Sequence, residues 1–439
     1  MNATNTNSAL KEALKKYSKV MDRMYWIFLV AILLYELLGS TYFLQNFVVW
    51  FAGLFKGGSP EFVAMLYQSI VNLRLLIIIP AVYNILVEAE TRREQVILSG
   101  MLLVGWIYAI LMREQNDTYI FRDMAMIVAS YGKDYKKIAH VSMWLAGIVM
   151  LLTVSSYFLG ILPERTLERD GMVRHSFGTL GPTNLAGHVG FIIMTYFFVK
   201  DGKVKWMAYL VVGILSVLNL LFVDGRTSFL SVFLIVVGSL IYQLWQKKKW
   251  PVPEPAMKLW KYLLAASFVI CAGLFMILVF TYTTNPAVFY NRFHVLESFA
   301  GRIGNPNRIM GKTGLSLFGN YYEHYWVAGN VFKQTGNYEF LDSSYARVIL
   351  MYGIVAFVLI LWLLTRVQVR LMKEKQVFRM YLLAVLALHF VMEHHILEPA
   401  YNIFLLLPFA GLGSLTGKGN DGDDLKVKAN ETEPAEVAG

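Results

Sequence analysis

The chain has 439 residues, of which 56% are hydrophobic, 15% aromatic and only 16% charged, with a formal charge of +10. Soluble domains carry about a quarter charged residues, so this composition, with a mean hydropathy of +0.50, excludes an ordinary water-soluble globule. The single cysteine, Cys271, lies inside an apolar run and excludes a disulfide framework or a Cys-based metal site. No nucleotide-binding loop, nucleic-acid module or Ser-His-Asp hydrolase elbow occurs.

In chain order, residues 1–23 are polar and basic and read as a cytoplasmic segment. No small-residue cleavage site follows Trp26 to Leu38, so the first apolar run is expected to be a retained helix. Apolar runs of about 17–25 residues suit a hydrocarbon layer roughly 30 Å thick. They fall near 24–44, 66–87, 95–113, 117–131, 138–162, 182–199, 205–223, 227–246, 260–281, 344–365, 376–393 and 399–416. The expected architecture is an all-α polytopic membrane protein of about twelve transmembrane helices. Helices one to nine occupy 24–281, a large extracytoplasmic loop 282–343, and helices ten to twelve 344–416. The tail 417–439, rich in Gly, Asp, Lys and Glu, is expected to be disordered.

Sidedness follows from where Lys and Arg fall. With the N-terminus inside, every second loop is cationic: Lys11 to Arg23, Arg92 and Arg93, Lys133 to Lys137, Lys200 to Lys205, Lys247 to Lys261, Arg366 to Arg379, then Lys418 to Lys428. Both termini are therefore expected in the cytoplasm. Those loops hold 20 Lys and 6 Arg, whereas the remaining basic residues are 11 Arg and 3 Lys. Lys at the inner face is a topology signal and a partner for anionic lipid heads. Arg at the outer face binds phosphate bidentately and stays charged when partly desolvated. A phosphorylated, lipid-linked ligand explains that enrichment; pairing with Glu164, Glu168 and Asp170 is the plainer alternative.

Four outer segments carry the candidates. Arg174-His175-Ser176-Phe177-Gly178 precedes Pro182-Thr183-Asn184, where Asn184 at a helix entrance is either an N-cap or a binding residue. Asp224-Gly225-Arg226 is a tight turn between two apolar helices, with Arg226 available to Asp224 or to a ligand. The large loop opens on Asn285-Pro286, a helix-start pattern, and its short helix is expected to reach Phe299 and lead into Gly301-Arg302. It closes on Asp342-Ser343-Ser344-Tyr345, with Asp342 an N-cap or a catalytic carboxylate. Glu393-His394-His395 with Glu398 stands at the junction of the last two helices, in a spacing unlike i, i+4 metal ligands. Within the membrane, Glu36 and Arg74 are expected to pair, with Arg74 alternatively extending a phosphate site inward.

The ordered set Arg174-His175-Ser176-Phe177-Gly178, Gly225-Arg226-Thr227, Gly301-Arg302-Ile303, Ser316-Leu317-Phe318-Gly319, Leu341 to Tyr345 and Tyr352-Gly353-Ile354 resembles the polysaccharide repeat-unit polymerases of Gram-positive capsule and exopolysaccharide clusters, relatives of the O-antigen polymerases and ligases. The resemblance covers about residues 20–415. It departs at Gly181-Pro182-Thr183-Asn184, where an aromatic or His is expected before the Pro-Asn pair. It implies a GT-C-like membrane glycosyltransferase in a bacterial cell membrane, joining repeat units carried on undecaprenyl diphosphate without metal or other cofactor. Arg174, Arg226, Arg302 and Arg74 would hold the diphosphate, and Asp342 and His324 would serve as general base. His395, Glu393, Asn184 and Tyr345 would bind sugar or acceptor. Implied partners are the undecaprenyl-diphosphate-linked oligosaccharide, membrane lipids, and flippase and chain-length-control proteins. A ligase using the same donor and a lipid-oligosaccharide transporter are the alternatives; Asp342, where the ligases place a His, favours a polymerase.

Overall fold

Runs of Leu, Ile, Val and Phe can enter lipid only if their backbone groups are satisfied internally, and here they are satisfied as helices. The computed structural model describes residues 11–54, 60–112, 119–169, 171–284, 297–320 and 340–411, and is nearly all-α. Among the described residues, six helices are long and apolar enough to cross a membrane: Met65–Glu88, Arg92–Leu111, Tyr135–Phe158, Trp206–Val223, Arg226–Lys248 and Ser344–Lys373. A seventh is the pair Glu254–Ala265 and Ser267–Tyr282, if that bent pair counts as one span. Further helices are Ser18–Gly39, Tyr42–Leu54, Tyr119–Ala129, Pro182–Val199, Glu297–Thr313 and Val377–Met392. Trp206–Val223 buries only 22% of its apolar window and turns most of it outward, whereas Ser344–Lys373 buries 56% and stands near the centre.

The cationic loops meet at one end of the bundle. Lys133 Nζ is 2.9 Å from Asp22, Lys11 donates to the Ala89 carbonyl, Arg379 donates to Phe198 O, and Gln243 reaches Gly202 O and Val204 O. Gly132 N donates to Phe409 O, and Arg370 reaches the Ala410 carbonyl.

The last contacts overturn one expectation. Residues 399–411 contain no membrane-length helix, only the 3-10 turn Ile403–Leu406. Residues 400–410 are all buried, and they run from the His395 region to the Arg370 end of the bundle. Non-helical backbone at membrane depth is tolerated where protein surrounds it. Asn402 Nδ2 donates to Ile396 O at 2.8 Å, and Arg366 Nε to Pro408 O at 3.1 Å, so side chains satisfy carbonyls that a helix would have paired.

The helix Tyr119–Ala129 is short, about 16 Å at 1.5 Å per residue, and buried from Arg122 to Ala129. Arg122 lies between two carboxylates, Asp123 (Nε to Oδ1, 2.9 Å) and Glu36. Glu36 therefore pairs with Arg122 and not with Arg74, whose guanidinium sits 5.4 Å from the Tyr35 ring. The same network grips the non-helical segment: Ala400 N donates to Glu36 Oε2 at 3.1 Å, and Arg122 Nη2 to Leu397 O at 3.4 Å.

Two of the sequence motifs are packing devices. Ile354 N donates to Ser316 O, Val355 N to Leu317 O, and Asn320 N to Leu350 O, so Ser316–Gly319 docks against the π-helical turn Val348–Tyr352. Gly319 (φ +92) and Gly353 (φ +81) face each other there. A Cβ on Gly353 would fall 2.3 Å from Gly319 N, which only glycine avoids. The Tyr108 hydroxyl bridges the break, donating to Tyr352 O and accepting from Ala356 N at 3.1 Å.

Replacing Gly353 by Ala therefore costs more than about 2 kcal/mol, from a left-handed backbone plus a backbone clash. Gly147→Ala, with nothing within 4 Å, is neutral or gains up to about 1 kcal/mol. Thermal unfolding of the two proteins in detergent separates them; equal midpoints would refute the packing role. Arg122→Ala leaves Glu36 and Asp123 buried without a counter-charge, and a loss of roughly 3–5 kcal/mol is expected in the same measurement.

Candidate active site

At the end of the bundle opposite the lysines, a two-stranded hairpin, Thr166–Arg169 with Met172–His175, projects from the chain after Tyr135–Phe158. Its register pairs Leu167 with Arg174 and Arg169 with Met172. Alternate residues share a face, so Arg169 and Arg174 emerge on the same side. That side meets the turn after Trp206–Val223, where Asp224 closes the helix in the left-handed region (φ 53), a conformation Asp tolerates better than most residues.

Asp224 is 3% exposed and collects three guanidinium groups. Arg169 Nε donates to Oδ2 at 2.8 Å, and Arg226 Nε to Oδ1 at 2.7 Å. Arg174 Nε is 3.9 Å from Oδ2 and donates to Val223 O at 3.0 Å. Asp224 by itself balances only one of these three cations. Arg226 remains 51% exposed and Arg169 31%, whereas Arg174 is nearly buried, so it is Arg226 and Arg169 that face outward. Burial raises the Asp224 carboxyl, but the bonds from Arg226 and Arg169 outweigh it and hold it below its ordinary value. Burial and the neighbouring Arg169 lower the Arg174 guanidinium, against the pull of Asp224 and Glu393.

That influence of Glu393 brings in the other segments. Arg302, within the helix Glu297–Thr313, donates from Nε to Met392 O at 3.1 Å. The segment after the large loop docks on the same strip: Ser344 N donates to Glu393 O at 3.1 Å, Ile396 N donates to Ser344 Oγ, and Tyr345 Oη to Ala387 O at 2.8 Å. Glu398 then organises the imidazoles. His395 Nδ1 lies 2.9 Å from it, His394 Nε2 3.7 Å and Arg347 Nη1 3.2 Å. His395 is buried and stacked on Tyr401 (3.9 Å), which stacks on His188 (3.8 Å), whose Nε2 is 2.8 Å from Ser40 Oγ. His394 is the more accessible imidazole and lines a small cavity with Tyr119, Arg347, Tyr352 and Glu398.

The structure thus gathers Arg174, Arg226, Arg302, Glu393 and the Asp342 segment at one end. Other assignments change. Arg74 lies beside Tyr35, where its charge acts on Glu36. The helix 182–199 is capped by Gly181 with Pro182 at its first position, so Asn184 is not the N-cap; its amide lies 3.5 Å from Ser40 O. Ser343, not Asp342, occupies the N-cap position before Ser344–Arg347. Tyr345 and His395 are each 1% exposed, with Tyr345 Oη donating to Ala387 O and His395 Nδ1 2.9 Å from Glu398 Oε2. Arg302 sits within a helix beginning at Glu297, not after one ending at Phe299. His324 and the Asn285-Pro286 start lie outside the described residues.

The alternative partner Glu164 is engaged by His175 (2.8 Å) and Tyr157 (3.0 Å). Sequence reasoning missed Arg169 and the convergence on Asp224; strand alternation between residues 167 and 174 was the available signal. One ligand atom each from Glu393, His394 and His395 lies within 4.8 Å of the others, close enough for one cation. Arg347 beside Glu398 and the influence of Arg174 at Glu393 both oppose a cation there. Comparison with protein-family models, curated proteins and solved structures finds no match to this chain.

Because Asp224 titrates below its unfolded value, its contribution to holding the hairpin is present above about pH 4 and is lost as pH falls through the depressed folded value. Limited trypsin cleavage at Arg165 and Arg169 checks this. Asp224→Asn is expected to expose those bonds at neutral pH, and equal cleavage of both proteins would refute the anchor.

Proposed function

We propose that this chain is a membrane glycosyltransferase that polymerises undecaprenyl-diphosphate-linked repeat units at the outer leaflet of a bacterial cell membrane. The observation carrying this reading is the net-positive cluster of Arg169, Arg174 and Arg226 on Asp224, with Arg302 and the Glu393–Glu398 strip on the same face. Arg169 and Arg226 each donate from Nε to Asp224 and keep 31% and 51% of their side chains exposed, so a diphosphate can reach both guanidinium groups. Charge that develops on the departing lipid diphosphate is stabilised by guanidinium groups already in place.

The acceptor hydroxyl attacks the anomeric carbon, its proton passes to a carboxylate or imidazole of this face, and lipid diphosphate leaves. A single displacement inverts the anomeric configuration. Asp342 and His324 are the bases expected from the sequence; Glu393 is the carboxylate whose charge acts on Arg174. Twelve crossings with both termini cytoplasmic suit the gathering of Lys-rich loops at one end and the arginines at the other. In that count the short helix Tyr119–Ala129 belongs to the fourth crossing, and the buried non-helical stretch to Gly411 is the twelfth.

The test is purified protein in liposomes supplied with lipid-linked repeat units and no gradient. Lengthening glycan on lipid supports a polymerase. Transfer to a different acceptor indicates a ligase, and translocation without lengthening a transporter; either overturns the proposal. Arg226→Lys keeps the charge but loses the bidentate fork, and a drop of at least tenfold is expected. Arg302→Ala is expected to abolish lengthening while insertion stays intact. Asp342→Asn removes basicity at nearly constant shape, and full activity there would take Asp342 out of the mechanism.

A further inference from the structure

The helix Glu254–Ala265 (EPAMKLWKYLLA) differs from the spans around it. At 3.6 residues per turn, Leu259, Trp260, Leu263 and Leu264 fall on one side, and Lys258, Lys261 and Tyr262 on the other. Of its twelve residues only Leu264 and Ala265 are buried. Leu259 is 61% exposed and Leu263 46%, so most of the apolar side has no protein against it among the described residues. The next helix, Ser267–Tyr282, departs at 62°, so Glu254–Ala265 does not continue along its direction. Just before it, Arg226–Lys248 ends in Lys247 and Lys248, followed by Lys249 and the exposed Trp250.

The charge balance of this stretch is uneven. From Lys247 to Ala265 there are five lysines and one acid, Glu254. At this end of the bundle Lys133 pairs with Asp22 and Arg370 with Glu374, and Arg379 lies near Asp201. No such partner meets Lys247, Lys248, Lys249, Lys258 or Lys261 among the described residues. A short amphipathic helix with Lys on its polar side and Leu and Trp on the other, lying across the direction of its neighbour, suits the plane of a bilayer interface. Lysines at that level attract acidic headgroups.

We propose that Lys247–Lys249 and the helix Glu254–Ala265 form a site for acidic phospholipid headgroups, with Leu259, Trp260 and Leu263 among the acyl chains and the five lysines at the phosphate level. The site lies at the opposite end from the arginine cluster and holds whatever chemistry that cluster performs. It makes the seating of the bend at Ala266, and through it the helix Ser267–Thr284 that packs on the Arg302 helix, sensitive to the charge of the surrounding leaflet; Asn307 Nδ2 donates to Val279 O at 2.9 Å across that contact.

The experiment uses the full chain in bilayers of phosphatidylcholine containing spin-labelled phosphatidylglycerol or spin-labelled phosphatidylcholine, reading the fraction of each probe immobilised at the protein. Phosphatidylglycerol is expected to be favoured roughly three- to tenfold at low salt and less at high salt. Replacing Lys247, Lys248, Lys249, Lys258 and Lys261 together by Gln brings the preference close to one. The same change at Lys15, Lys16, Lys19, Lys200 and Lys203 keeps most of it. No preference in the unaltered protein, or a preference untouched by the first set, overturns the proposal. A preference that emerges only when residues 417–439 are deleted also overturns it, because the acidic tail of the chain would then be the occupant.

Discussion

A carboxylate almost wholly withdrawn from water holds three guanidinium groups of this protein in one place. Without Asp224, Arg169, Arg174 and Arg226 would repel one another at the rim of the bundle, and the hairpin carrying two of them would lose its anchor. With it, the three are held together. Asp224 by itself balances only one of the three cations, and it ties the hairpin to the turn between Trp206–Val223 and Arg226–Lys248.

The opposite wall of the site is held by a different means. Residues 393–402 hold only the 3-10 turn His395–Leu397, and irregular backbone at this depth must find hydrogen bonds from elsewhere. Glu36, Arg122 and Ser344 supply them, from elements far apart in the chain. Glu398 in turn orients His394, His395 and Arg347. A buried ion pair is not by itself a strong source of stability. Its value here is that Arg122, with partners on both sides, admits few alternative positions for the strip it touches.

Some motifs that look functional in the sequence turn out to be mechanical. Ser316–Gly319 and Tyr352–Gly353 lie together because two glycine backbones touch where Val348–Tyr352 interrupts its helix; no larger residue fits either position. Asn184 and Asp342 were misplaced by one to three residues relative to the caps they were expected to form. Gly181 followed by Pro182, and Ser343 followed by Ser344, supply those positions instead. Local capping rules identify a helix start within a residue or two, which is too coarse to assign one side chain to one role.

Composition, apolar run length and the segregation of Lys from Arg were enough to establish a polytopic helical membrane protein with its lysines at one end, because lipid imposes those rules on every segment independently of its neighbours. The convergence of four outer segments was also legible, since alternating crossings must return them to one face. Which charge meets which could not be read that way. Glu36 found Arg122 rather than Arg74, Asp224 took Arg169 as well as its own neighbour, and the last apolar run stayed unwound because surrounding protein satisfied its backbone. Each of these outcomes depends on how helices distant in sequence pack together, and only the assembled tertiary structure decides that.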